Sequence, residues 1–109
     1  MPRVREIKLD SLVVRIAPLS YDEAEKYITE GKEMLDRKAS TEEWTKRMLA
    51  SVVLSLNKAT PALNMTTEKL VAEYDMLTLQ EIYMEFMKMS GLRTGVPVPG
   101  EAPATSTSN

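Results

Sequence analysis

Residues 12–23 read LVVRIAPLSYDE, a strand pattern followed at once by a helix start. Leu12, Val14 and Ile16 alternate with Val13, Arg15 and Ala17, the period-two pattern of a strand with one covered face. Pro18 ends that strand because it has no N–H to give a ladder. Ser20 and Glu23 then have capping-box spacing: the hydroxyl can accept from the Glu23 N–H while the Glu23 carboxylate reaches back to the Ser20 N–H. Asp22 and Glu23 also suit the positive end of a helix dipole. Strand therefore gives way to helix within a few residues.

Upstream, Val4, Ile7 and Leu9 form a second β-prone run, with Asp10-Ser11 between the two. Two turn-forming residues between apolar runs predict a hairpin, with no Gly to fix the turn type.

Downstream, the periodicity is helical. Ala24, Tyr27, Ile28, Gly31, Met34 and Leu35 share an arc at about 100° per residue, and Glu25, Lys26, Glu30, Glu33, Asp36 and Arg37 fill the remainder. Gly31 lies on the predicted buried arc despite a helix-propensity cost of about 1 kcal/mol relative to Ala, so it is read as a point of close approach. Ser40 and Glu43 repeat the start signal. Trp44, Met48, Leu49, Val52, Val53 and Leu56 then span a band wide enough for neighbours on two sides, with Leu54 off it. This is the expected central helix, ending near Asn57-Lys58 before Thr60-Pro61.

Residues 64–67 (NMTT) open a shorter helix with Leu70, Val71 and Tyr74 as its apolar side. Thr78 and Glu81 predict the start of a fourth, whose inner face is Leu79, Ile82, Tyr83, Phe86, Met87 and Met89. Met84 falls on its polar side. Gly91 suits a left-handed C′ residue, with Leu92 as the hydrophobic contact of a Schellman motif. Residues 94–109 hold three of the six prolines and two of the four glycines. Such a segment cannot bury enough apolar surface to offset its ordering entropy. The expected architecture is α+β and mainly α: residues 1–92 form one helical domain with an N-terminal hairpin packed on about four helices, and residues 93–109 a flexible Pro/Ser/Thr-rich tail.

At 109 residues there is room for one core. The absence of Cys removes disulfides, thiolate nucleophiles and Cys-based metal sites. The absence of His removes the commonest general base and metal ligand. Asp22, Glu23 and Glu25 are better explained by a helix N-terminus than by a metal or acid/base site. Glu73 and Asp75 have no spaced third ligand. No phosphate-cradling Gly loop and no nucleophile elbow occurs. No catalytic residue, metal site or cofactor site is expected, and the chain is read as a non-enzyme.

Lys26, Lys32, Arg37, Lys38, Lys46 and Arg47 are interleaved with acids, and the formal charge is −2. They read as a solvated, salt-bridge-laced surface, which argues against nucleic acid as a partner. The longest apolar runs span three residues, far short of a membrane span, and residues 2–8 lack a signal-peptide core. The expected location is the cytoplasm. The eight methionines are the least ordinary feature. Met34, Met48, Met87 and Met89 read as core fillers, while off-arc Leu54 and Met84 are the best candidates for a re-packable partner-binding surface.

The order of these signals resembles the tail assembly chaperones of long-tailed phages and prophages. Residues 14–23 (VRIAPLSYDE) are similar to that family's opening of strand, Arg-x-x-Pro-Leu-Ser/Thr and capped acidic helix. Residues 65–68 (MTTE), 77–81 (LTLQE) and 89–92 (MSGL) resemble its closing helices and tail junction. The chain departs from the pattern at Ile16-Ala17, where an Arg is expected next to the proline. The resemblance implies a non-enzymatic protein of the bacterial host cytoplasm. Such a protein binds the tape measure protein, aids assembly of the tail tube with possible contact to the tail tube protein, and often self-associates. Two other readings stand beside it: a structural virion or tail component that stays in the particle, and a small regulatory interaction domain.

Overall fold

A computed structural model describes residues 3–9 and 12–92 of the chain. The elements run β1 (Arg5–Leu9), β2 (Leu12–Ile16), α1 (Tyr21–Asp36), α2 (Thr41–Ala59), a 3-10 turn (Pro61–Leu63), α3 (Thr67–Glu73) and α4 (Met76–Met89). The expected α+β, mainly α architecture is present: an N-terminal antiparallel hairpin, followed by four α-helices among the described residues. The turn read at Asp10-Ser11 and the tail read at 93–109 lie outside the described residues.

The hairpin register pairs Ile7 with Val14 and Leu9 with Leu12. Ile7, Val14 and Ile16 are buried, whereas Glu6, Lys8, Val13 and Arg15 face outward. That alternation is what a sheet with one covered face demands. Val4 lies outside the strand and is exposed.

The hairpin is fastened to α2 by a contact that no periodicity signals. The Ala17 N–H donates to Ser55 Oγ at 3.0 Å, and that hydroxyl donates to the Ala17 carbonyl at 2.7 Å. A buried backbone segment leaving a strand must satisfy both of its polar groups, and one serine does so. Ser51 and Ser55 are both buried, small enough to let the chain approach α2 closely.

Helix α2 is central: it packs against β2, α3, α4 and the 3-10 turn. Met48, Val52 and Leu56 are buried, with Leu49 and Val53 packed at the edge of the core. Its Asn57 side chain closes a pair with Met65, donating to its carbonyl at 3.0 Å and accepting its N–H at 2.7 Å. This fixes the approach to α3, where Thr66 caps the helix, Leu70 is buried and Val71, expected inward, is exposed.

Helix α4 starts earlier than the Thr78–Glu81 spacing predicts. Asp75 is the N-cap, accepting from the Thr78 N–H at 2.8 Å. An aspartate in extended backbone conformation caps at least as well as threonine, so the helix gains its first residues there. Leu79, Ile82, Tyr83, Phe86 and Met87 are buried as expected, and Met89 is partly buried. Gly91 has φ +73°. Its N–H donates to the Lys88 carbonyl at 3.1 Å and the Leu92 N–H to the Met87 carbonyl at 2.9 Å, which together are a Schellman motif.

Candidate functional site

Helices α1 and α2 form an antiparallel hairpin, as three cross-links in register show. Lys58 donates to Glu23 at 2.6 Å and to the Pro18 carbonyl at 2.9 Å. Arg47 lies beside Gly31. Arg37 donates to both carboxylate oxygens of Glu43, at 3.1 and 3.0 Å. The two helices do not seal against each other along this line. Between them lies an open groove of about 590 Å³. Met34, Ala50 and Leu54 give it apolar surface, while Glu30, Glu33 and Lys46 supply charge.

Arg47 is the central side chain of this groove. Its charge-interleaved surroundings predict a place on the solvated surface, but its side chain is only 8% exposed, because the Tyr27 ring and carbonyl hold it. Its guanidinium lies 3.5 Å from the centroid of the Tyr27 ring, and its Nη2 donates to the Tyr27 carbonyl. Arginine stacks and hydrogen-bonds at once because its cation is planar and weakly hydrated. The Tyr27 and Tyr83 hydroxyls share a buried hydrogen bond, which ties α1 to α4. Burial, with Tyr27 next to it, pushes the Tyr83 phenol well above its ordinary value, so it stays a neutral hydrogen-bonding group.

Gly31 is a point of close approach, as expected, and the approaching group is this guanidinium. A Cβ at position 31 would stand 2.9 Å from Arg47 Nη2. The arc predicted around Gly31 is narrower in fact. Tyr27, Gly31 and Met34 are buried, but Ile28 and Leu35 are 42% and 48% exposed. An arginine and a tyrosine, in place of a broad apolar face, set how near α1 comes to the body.

The two residues singled out as partner-binding candidates part company. Leu54 is 39% exposed and lines the groove. Met84 is partly buried and packs against the core; it is not among the groove residues. Its place on the polar side of α4 puts it at a core margin, where a flexible thioether fills space. Met34, Met48, Met65 and Met87 are buried, and only Met34 of these also lines the groove. The groove was missed because it is built by a buried cation, and in a charge-interleaved run Arg47 looks like Lys46. The one available signal was the spacing of Gly31 on an otherwise apolar arc.

The acidic residues at the helix starts have structural tasks. Lys58, then the Ser20 N–H, holds the Glu23 carboxyl below the usual carboxylate range. The Ser40 N–H, then Arg37, does the same for Glu43, and the Thr78 N–H for Asp75. Among the described residues, no three His, Cys, Asp or Glu side chains converge as a metal cage requires. No helix among them is long and apolar enough to cross a membrane.

Set against models of known protein families, curated proteins and solved structures, the chain matches none of them.

Proposed function

We propose that the protein is a holding protein of the tail assembly chaperone kind. It binds an apolar segment of a phage tape measure protein in the host cytoplasm and releases it as the tail tube assembles, without chemical turnover. The observation that carries this reading is the open α1–α2 groove, where apolar Met34, Ala50 and Leu54 line the same space as charged Glu30, Glu33, Lys46 and Arg47. Exposed Leu54 within it and Ile28 and Leu35 on α1 add to the apolar surface on offer. A surface of this kind suits reversible association, because its apolar area supplies affinity while its charges keep the free protein soluble. The link to tails in particular rests on the order of strand, capped helix, short helix and Gly-terminated helix.

A structural role within the particle would call for a durable self-association surface. The hairpin edge is a weak candidate: its strands span five residues each, and Glu6, Lys8 and Arg15 are exposed on them. Short, charged edges oppose strand addition. Co-expression with the tape measure protein of the same phage tests the proposal. A soluble complex is expected, together with absence of this chain from finished particles by mass spectrometry. A tape measure protein that stays soluble alone and forms no complex would refute it.

A further inference from the structure

Arg47 is placed and oriented without a hydrogen-bonded counter-ion. Its guanidinium is held by the Tyr27 ring and carbonyl. Its Nη1 is 3.9 Å from the nearest carboxylate oxygen, that of Glu30, too far for a hydrogen bond. Its Nε has no partner at all. Glu30 is itself more than half exposed, so it stays hydrated and leaves the cation only loosely compensated. Buried cations are ordinarily paired and fully hydrogen-bonded, and this one lines a groove with apolar surface.

The shape of the groove narrows the occupant. It follows Tyr27, Glu30, Met34 and Arg37 along α1 and Glu43, Arg47, Ala50 and Leu54 along α2, spacings of three and four residues on both helices. Such a trough between two antiparallel helices is the complement of a third helix, whose side-chain ridges fit the seam. From the groove residues of α2 its length is about 16 Å at 1.5 Å per residue, or roughly three turns of the occupant.

We infer that the α1–α2 groove receives one amphipathic helix of a partner protein through its apolar face, and that an Asp or Glu carboxylate within that face is captured by Arg47. The inference rests on the holding role proposed above and adds the chemistry by which a segment is chosen. A carboxylate carried into the groove supplies the hydrogen-bonded counter-ion that Glu30, 3.9 Å from Nη1, does not. It does so at low ordering cost, because the guanidinium is already fixed. A wholly apolar helix lacks this contact, and one bearing Lys at the same place is repelled.

The test uses the full chain and two acetylated 18-residue helical peptides of Leu, Ala and Lys. One carries a single Glu at the centre of its apolar face and the other a Gln. Trp44, the only tryptophan of the chain, lies 5.9 Å from the Arg47 guanidinium, and its emission reports occupancy. The Glu peptide is expected to bind about tenfold more tightly than the Gln peptide, as a charge-assisted contact allows. Arg47→Met should abolish that preference while both peptides still bind. Because Arg47→Met removes a buried anchor, Glu30→Gln on the exposed side is the second variant, and it should strengthen binding of the Glu peptide alone.

Equal binding of the two peptides, with Arg47→Met and Glu30→Gln without effect on their ratio, would overturn the carboxylate inference and leave the groove a holding surface. Binding of neither peptide would overturn both readings. A dimer by sedimentation that the Glu peptide does not dissociate would instead assign the groove to a second copy of the chain, against the inference.

Discussion

The missing side chain of Gly31 lets the Arg47 guanidinium lie against α1. Gly→Ala in a helix ordinarily stabilises by about 1 kcal/mol. Here the new methyl would displace a guanidinium held by the Tyr27 ring and carbonyl. Gly31→Ala is therefore expected to lower stability by about 1 kcal/mol in the natural chain and to raise it by a similar amount once Arg47 is Ala. Urea denaturation of the four proteins in the cycle measures this, and a gain in both backgrounds would contradict it. Ser55→Ala should cost about 1–3 kcal/mol, since it strands both backbone groups of Ala17 in a buried place. Neither role was readable from residue type. A serine inside an apolar helix face and an arginine among glutamates look like surface residues until the chain folds over them.

At the scale of elements, the helix starts and stops were the most legible features, because capping is local chemistry. Ser20–Glu23, Ser40–Glu43 and Gly91–Leu92 do what their spacing predicts. The Thr78–Glu81 start was misplaced because Asp75 competes for the same N–H and holds it. Helix α1 ends in a Schellman motif with Lys38, not Gly, at φ +55°, which the sequence does not announce. Lys38→Gly is thus expected to stabilise by about 0.5–1 kcal/mol through relief of left-handed strain, read as a raised melting temperature; a loss of stability would contradict it.

The caps also set an acid response. Glu23, Glu43 and Asp75 have folded-state pKa values below their ordinary ones, so they stabilise above the ordinary carboxylate range of about 4 and lose that contribution as pH falls through the lowered values. Stability measured from pH 6 to pH 2 should drop in that acidic window. In Glu23→Gln the drop should be smaller, because the carboxylate bound to Lys58 and Ser20 is gone. An unchanged acid profile would refute that assignment.

For the molecule as a whole, period-two and period-3.6 patterns were enough to order a hairpin and four helices, because every element buries one face on a common core. The groove was not legible. It exists because α1 presents one tyrosine, one glycine and one methionine inward while Ile28 and Leu35 stay out, and because a cation fills the gap. Leu54 is an apolar residue off the buried band of α2 and lines the groove, whereas Met84 packs at the margin of the core.

The most direct measurement is co-purification of the tape measure protein with three forms of the chain: natural, Leu54→Asp in the groove, and Leu77→Asp. Leu77 is 66% exposed and absent from the groove, so its replacement controls for loss of surface apolarity in general. With all three folded by circular dichroism, Leu54→Asp is expected to lower recovery of the complex by about tenfold or more, while Leu77→Asp leaves it unchanged. Undiminished capture by Leu54→Asp would contradict it.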